Sequence, residues 1–331
     1  MSEKKPAKRV TLKDVAKEAN VSLGTASYAV NGNGSVDEQN RAHILKVAKQ
    51  LGYRQNMSAR AMRTGRTGAL GLVVPDFSNP FFTTLAEFVM RAARLKGYSV
   101  FVSNTEGSDP LEQDAVKLMV KRGVDGIVWF PIRDINTAEA ITQEIPTIII
   151  DRSIYGLPSI QADYYAGGRK AAEHLVELGH RNIGVISGPT DILSMRERCD
   201  GAISYIEEHA SLAFSVKNAF SVDLEAEVAR AVISGKATAV FAGSDLIALG
   251  VIRHAAANGL NVPNDLSVVG FDDIPWAQMS TPPLTTIEMP IDDMALEAVD
   301  TLLRHIDEHI TSRKRVVFDT NLIIRSSTRA I

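Results

Sequence analysis

TLKDVAKEANVSLGTASYAVN, running from Thr11 to Asn31, reads as two short helices around a tight turn. Thr11 can cap a first helix to about Ala19, with Asp14 three residues on as the reciprocal partner in a capping box. Asn20 stands where a left-handed turn residue is wanted, a conformation asparagine tolerates better than most. Ser22 then caps a second helix that ends near Asn31 in the polar run NGNGS. Asp37 caps a third, whose apolar stripe is Ile44, Leu45, Val47, Ala48 and Leu51. With Leu12, Val15, Ala16, Val21, Ala26 and Val30 these form one small core. The small and hydroxyl residues that open the second helix let a helix lie close against a DNA major groove.

Charge separates this head from the rest. Residues 1–66 carry 13 Lys/Arg against 5 Asp/Glu, and the remaining 265 carry 23 against 34. A small basic head on an acidic body predicts that only the head meets a polyanion. Residues 1–9 read as an unstructured basic tail. The single cysteine, Cys199, excludes an internal disulfide and a cysteine-rich metal cluster. MSEKKPAKRV has no apolar region behind its charges, and no stretch reaches the roughly 18 apolar residues of a membrane helix. The expectation is a cytoplasmic, nucleoid-associated protein with no membrane partner.

From Ala69 the chain alternates apolar runs (LGLVV, YSVFV, GIVWF, TIII, IGVI, AVFAG, SVVGF) with amphipathic stretches. That alternation predicts an α/β body of parallel sheets covered by helices on both faces. About ten such units exceed one sheet, so two lobes are expected. The first is placed near 67–160 with a return segment near 285–290, and the second near 163–280 with a C-terminal strand. A helix from about Ile291 to His309 is expected beside the crossing region, within a first lobe that takes in 285–310. The domain reading is thus 1–55 for the head, 56–66 for a linker and 67–331 for the body. Ligands in open sheets bind at the C-terminal ends of strands, which places a site between the lobes.

No catalytic or nucleotide-binding signature is present. G-x-x-x-x-G-K-[ST] and G-x-S-x-G are absent, and Gly167-Gly168 lacks dinucleotide-fingerprint spacing. The seven histidines show no metal-ligand spacing, and His174 and His180 read as solvent-facing. Neither an enzyme nor a cofactor is expected. In the head, Leu23, Gly24, Ser27 and Tyr28 form the exposed face of the second helix. Thr11 joins the DNA-contacting set, and Ser22, Thr25 and Asn31 suit phosphate oxygens. In the body, Asn79, Phe81, Phe82, Asp151, Arg152, Arg196, Arg198, Phe220, Ser244, Asp245 and Asp272 follow strands at loop positions. Such residues suit a polyhydroxylated ligand, with charge-assisted hydrogen bonds to hydroxyls and rings against C–H faces. Arg196 and Arg198 cannot both face the cleft, and Cys199 reads as a packed thiol.

The sequence as a whole resembles the lactose-repressor or galactose-repressor (LacI/GalR) family. The motifs are TLKDVAKEANVS, TAS, AVNGNGSV, LGYRQN, SARAMRTGRTG and LGLVVPDFSNPFF, and the likeness runs from Thr11 to about Arg325. It implies that Asn56–Thr64 is a hinge helix formed on DNA, with Met62 at the minor-groove wedge position where leucine is usual. Asn56 belongs to the DNA-binding set, Ala59 allows close approach, and Arg60 and Arg63 engage backbone or groove. Tyr28 departs from the family's frequent arginine and cannot make a bidentate contact to guanine. A different half-site preference is therefore expected.

The body positions resemble those of ribose-binding periplasmic proteins through NPFF, Asp151-Arg152, Ser194 to Arg198, Phe220 and the GFD at Gly270–Asp272. Ser244 and Met289 depart from that pattern, standing where asparagine and glutamine are found. The resemblance implies a pentose or a pentose-bearing molecule such as a ribonucleoside, with Met289 either facing a base or packing. The partners expected are pseudo-palindromic double-stranded operator DNA, this small effector, and a second copy of the chain. The end at Ile331 without a leucine heptad favours a dimer over a tail-bound tetramer. A repressor released by its effector is the expectation. A corepressor-dependent form or an activator, responding to another sugar, a phosphosugar or a purine, stays open.

Overall fold

The computed structural model describes residues 10–32, 34–54, 61, 65–308 and 313–331. The basic tail and the hinge positions Asn56, Ala59, Arg60, Met62 and Arg63 lie outside these residues. The chain divides into two compact units, Met1–Thr67 and Gly68–Ile331.

The first unit is a three-helix head whose ends are set by hydroxyl and carboxylate caps. Helix α1 (Leu12–Glu18) follows Thr11, whose amide and hydroxyl both donate to the Asp14 carboxylate at 2.8 and 2.7 Å. Asn20 takes the left-handed conformation at φ 54° and turns the chain. Helix α2 (Leu23–Asn31) starts at Ser22, which accepts the Thr25 amide at 3.0 Å, and closes on Gly32 at φ 72°. Helix α3 (Glu38–Gln50) is capped by Asp37, which accepts the Asn40 amide at 2.9 Å. Val15, Ala16, Ala26, Ile44, Val47 and Ala48 form the buried core, with Leu12, Val21 and Val30 at its margin. Leu45 was expected in the stripe but is 45% exposed. One residue past Ile44 turns the side chain about 100° around the helix, off the buried face.

The second unit holds two six-stranded sheets of matching order. The first sheet is built from β1 (Ala69–Val74), β2 (Ser99–Asn104), β3 (Gly126–Trp129), β4 (Thr147–Ile150), β5 (Ser159–Ala162) and β11 (Arg315–Phe318). Its order is β11-β5-β4-β3-β1-β2, parallel throughout. The second is built from β6 (Asn182–Ser187), β7 (Ser211–Lys217), β8 (Ala239–Ala242), β9 (Ser267–Asp272), β10 (Thr285–Glu288) and β12 (Asn321–Ile323). Its order is β12-β10-β9-β8-β6-β7, with only β12 antiparallel. The order 2-1-3-4-5 is a doubly wound arrangement, with its switch point between the first and third strands.

Helices α4 (Pro80–Leu95), α5 (Asp109–Lys121), α6 (Glu139–Thr142) and α12 (Ile291–Glu308) belong to the first lobe, α12 packing on α4 and on β3 to β5. The second lobe carries α7 (Tyr164–Glu177), α8 (Leu193–His209), α9 (Ala226–Val232), α10 (Asp245–Ala257) and α11 (Pro275–Met279). Helices α7 and α8 cross with backbones in near contact. A β-carbon on Gly168 would come within 1.8 Å of the Arg198 carbonyl oxygen, and one on Gly201 within 2.1 Å of the Tyr165 carbonyl oxygen. Only glycine permits that approach.

The segment 285–290 is corrected. It does not return to the first lobe; β10 pairs with β9 through Thr286 opposite Gly270, inside the second sheet. The strand that completes the first sheet is β11, lying parallel to β5. The chain therefore crosses between lobes at Ala162–Asp163, at Met289–Pro290 and at Asp319–Thr320. The two-residue passage between β10 and α12 carries no Gly, Ser or charge cluster to mark it. On sequence alone the strand therefore takes the lobe of the helix that follows it.

His174 and His180 are also corrected, since both are buried. His174 Nε2 lies 3.0 Å from the Thr328 hydroxyl, and His180 bridges the Thr238 hydroxyl at 2.9 Å and the Arg329 carbonyl at 3.2 Å. They pin the last residues of the chain to the second lobe. Burial lowers the pKa of both, favouring the neutral ring.

Candidate functional site

On the head, Thr11, Ser22, Leu23, Gly24 and Tyr28 are exposed, while Thr25, Ser27 and Asn31 are half-buried. The Asn31 amide donates to the Ser27 carbonyl at 2.6 Å and to its hydroxyl at 3.1 Å, so this part of the polar set braces the helix. Ser22 shares a 2.8 Å hydrogen bond with the Thr25 hydroxyl. The Tyr28 ring lies over Gly34, where a β-carbon would approach it to 2.9 Å. The outer part of that ring remains free, leaving the side chain 54% exposed. No acidic residue stands in the first turn of α2, which leaves the positive end of its dipole available to a phosphate.

In the body, the strand-end residues converge on the facing edges of the two lobes. Asn79, after β1, spends its side-chain oxygen on the Phe81 amide at 3.0 Å and so caps α4. Phe81 and Phe82 are buried edge-to-face against each other at 5.4 Å between centroids and against Phe130, the residue after β3, at 6.0 and 4.7 Å. Asp151 and Arg152 follow β4 and form a buried ion pair with each other. Asp151 holds a left-handed φ of 68°, an uncommon state for a non-glycine residue, and accepts from the Tyr164 hydroxyl. The Arg152 guanidinium lies 4.8 Å from the Phe130 ring centroid and donates to Ser194, on the opposite lobe, at 3.0 Å.

The second lobe mirrors this arm. Arg198 lies one turn after Ser194 on α8, donates to the Gly243 carbonyl at 2.8 Å and pairs with Asp272 at 2.9 Å. Its guanidinium stacks 3.9 Å from the Phe271 centroid and 5.1 Å from that of Tyr164. Arg196, two residues earlier, points to solvent and donates to the Thr190 carbonyl at 2.7 Å. The Nε–H groups of Arg152 and Arg198 are both buried without a protein acceptor. An unsatisfied buried donor costs roughly 1–3 kcal/mol, so each is a standing demand for an acceptor.

Burial governs the electrostatics. It lowers Arg152 to about 10, opposed by Tyr164 and Asp134, which leaves the guanidinium charged at neutral pH. It raises Asp272 to about 6, outweighing the Arg198 ion pair. It pushes the Cys199 thiol up to about 12, keeping it protonated and unreactive. Among the described residues no group of His, Cys, Asp or Glu could hold a metal ion.

Several expected positions also make contacts within the protein. The Ser244 hydroxyl caps α10 through the Ile247 amide at 3.4 Å, as Asn79 caps α4. Asp245 accepts from the Thr286 hydroxyl at 2.6 Å and the Ile274 amide at 2.8 Å, and burial raises it well above a normal carboxylate. Met289 is buried within the main apolar cluster, while Phe220 is half-buried at its edge. Sequence reasoning missed Phe130, Tyr164 and Phe271. Phe130 ends GIVWF at a strand's C-terminal edge, so the strand-end rule that selected Asp151 would also have selected it.

The comparisons with known proteins follow this architecture. Residues 11–56 match bacterial regulatory proteins of the lacI family, and 172–328 match a periplasmic binding protein-like domain. A ribose operon repressor of Halalkalibacterium halodurans is 32% identical over 326 residues, covering 96% of this chain and 97% of that protein. The chain belongs to the LacI family of bacterial transcriptional regulators. A Lac repressor dimer bound to operator and the anti-inducer ONPF superposes on this LacI-family chain with TM-score 0.82 at 26% identity, covering 98% and 100% of the two. A LacI-family regulator from Enterococcus faecium with bound ribose matches at TM-score 0.71 and 25% identity, covering 80% and 99%. A complex of the regulator CelR with cellobiose matches at TM-score 0.72 and 28% identity, covering 96% and 100%. This LacI-family regulator therefore combines a DNA-binding helix-turn-helix head with a sugar-effector domain, and its family is not enzymatic. Among the described residues no helix is long and apolar enough to cross a membrane.

Proposed function

We propose that the chain is a cytoplasmic, homodimeric repressor that leaves its operator when a pentose, or a pentose-bearing molecule such as a ribonucleoside, fills the cleft between the lobes. The observation that carries this reading is the pair of buried guanidinium arms, Arg152 and Arg198, each with an aspartate partner, an aromatic ring and an Nε–H without an acceptor. Such arms hold a compact polyol through charge-assisted hydrogen bonds. Phe81, Phe82 and Phe130 supply an apolar wall for the C–H face of the ring or for a base. The ribose repressor and the ribose-bound regulator among its relatives support the pentose assignment. Dimerisation is supported by apolar surface on the first lobe, where Phe101 and Val102 on edge strand β2 are 50% and 36% exposed. The operator-bound dimer of the Lac repressor supports the same reading. Effector binding would act by preferring one lobe arrangement over another, which shifts the populations presented to DNA.

A thermal-shift panel of pentoses, hexoses, nucleosides and phosphosugars tests the assignment. D-ribose at 100 times its dissociation constant is expected to stabilise the fold by about 2.7 kcal/mol. At roughly 2–4 °C per kcal/mol for a domain of this size, the midpoint rises by about 5–10 °C. A shift given only by hexoses or phosphosugars would replace the pentose by those ligands.

Acid should weaken this binding. Ionised Asp272 offers hydroxyl donors two charged acceptor oxygens, protonation removes the charge and turns one oxygen into a donor, and its pKa in the folded protein is about 6. Affinity for the effector is therefore full above that value and lost as pH falls through it, by about tenfold per unit for one coupled proton. Calorimetric titration with D-ribose between pH 5 and 8 reads this slope. A flat profile would take Asp272 out of the contact.

A further inference from the structure

Helix α8 carries Ser194 and Arg198, yet its own flank does not cap it. Ser22, Asn79, Asp163 and Ser244 cap α2, α4, α7 and α10 from the preceding residue. At α8 that position is Ile192, whose side chain has no oxygen to offer. The Leu193 amide, at the first helical position, has no acceptor within its own helix. It donates instead across the cleft to Asp134 Oδ2 at 2.8 Å. Asp134 belongs to the first lobe, in the segment after β3, and its other oxygen accepts the Ser153 amide of the same lobe at 3.1 Å.

The segment bearing Asp134 is itself held. Glu112, fully buried on α5, accepts from Trp129 Nε1 at 3.1 Å, the Ile132 amide at 2.8 Å and the Thr137 hydroxyl at 2.6 Å. Arg133 pairs with Asp109 at 2.8 Å. Asp134 is thus presented from a braced loop to the end of a helix on the other lobe. Its negative charge complements the positive end of that helix's dipole.

We propose that Asp134 is the closure latch of the effector domain, a positioning residue that caps α8 from the opposite lobe and holds Ser194 and Arg198 in register only when the lobes are shut. The inference rests on the cleft being the effector site. Because both Asp134 oxygens are taken by backbone amides, the latch adds the same stabilisation to closure for every effector. Losing it lowers the population competent to bind, and apparent affinity falls by that fraction without a change in selectivity.

Single-residue amide hydrogen exchange on the full chain, without ligand, tests the latch directly. In Asp134→Ala the Leu193 and Ser153 amides are expected to exchange at least about tenfold faster together, while Val240 in β8 keeps its protection. Asp134→Asn, with one acceptor oxygen left for two amides, should fall between. Unchanged Leu193 exchange in Asp134→Ala would overturn the proposal, and so would loss of protection reaching Val240 in both variants, which would make Asp134 a residue of the fold. Titration with D-ribose gives the functional reading. Asp134→Ala should weaken binding by about fivefold, the factor carried by one helix cap, with the order of preference among sugars unchanged. An altered order of preference would place Asp134 at the ligand and overturn its role as a latch. If the wild-type chain takes up neither D-ribose nor any other pentose or ribonucleoside, the pentose reading fails while the exchange result still decides whether Asp134 caps α8 across the cleft.

Discussion

Replacing Gly168 by alanine is expected to lower the thermal midpoint of the body by about 6–12 °C. The added methyl meets the Arg198 carbonyl oxygen at 1.8 Å, a backbone atom of the neighbouring helix that no rotamer change can move. Helices α7 and α8 must separate along their length, and the opposing Gly201 shows that the approach is mutual. Overpacking a core costs about 1–3 kcal/mol, and a backbone obstacle places this change at the upper end or beyond. At roughly 2–4 °C per kcal/mol, about 3 kcal/mol gives the stated shift. Differential scanning calorimetry of the variant reads it directly. A change below about 2 °C would mean that the two helices part without cost and that the crossing is not a constraint.

The next largest effect is expected from Arg198→Ala, which should reduce effector affinity by at least about 100-fold, the equivalent of two lost charge-assisted hydrogen bonds. The side chain donates to Gly243 and Asp272 and stacks on Phe271, so its removal also leaves a buried carboxylate without its partner. Breaking a buried pair from one side costs about 3–5 kcal/mol, so a stability loss should accompany the binding loss. Arg198→Lys separates the two effects. Its ammonium keeps the charge beside Asp272 but lacks the planar guanidinium, whose Nε–H has no acceptor in the protein and is left for the effector. It should recover most of the stability and little of the affinity. Calorimetric titration of Arg196→Ala, at the exposed neighbouring position, should stay within about twofold of wild type, since surface changes usually cost under 0.5 kcal/mol. Comparable losses at the two positions would show that general disturbance of α8, rather than the Arg198 contacts, weakens binding.

Much of this molecule is written locally in its sequence. Ser22 and Asp37 precede their helices because a side-chain oxygen answers amides that the helix leaves open, Thr11 is tied instead to the Asp14 carboxylate, and each lies at its expected boundary. Seven of the parallel strands (β1 to β4, β6, β8 and β9) were legible as continuous apolar runs, which burial on both faces demands of all of them but the exposed edge strand β2. What failed to show depends on contacts distant in the chain. Strand β10 took its lobe from pairing with Gly270 and Ile323, which a four-residue TTIE does not announce. His174 and His180 looked like surface residues because the partners that bury them, Thr328 and Arg329, come about 150 positions later. At the candidate site, the strand-end rule found both arginine–aspartate arms. Phe130 satisfies the same rule and was passed over because its apolar type made it look like the tail of a strand. Asn79 and Ser244 have the polar groups a ligand would want, and one oxygen of each also serves a helix cap.

The three crossings between lobes have a consequence for synthesis. The head completes its core within the first 53 residues, from Val10 to Tyr53. Neither lobe of the body can do so in order, because the edge strand of the first sheet arrives only at Arg315–Phe318 and that of the second at Asn321–Ile323. Chains are made from the N-terminus and domains fold as they emerge. On the ribosome, the part that recognises DNA is thus finished long before the part that governs it. A chain interrupted ahead of β11 would carry a complete reader without a working control.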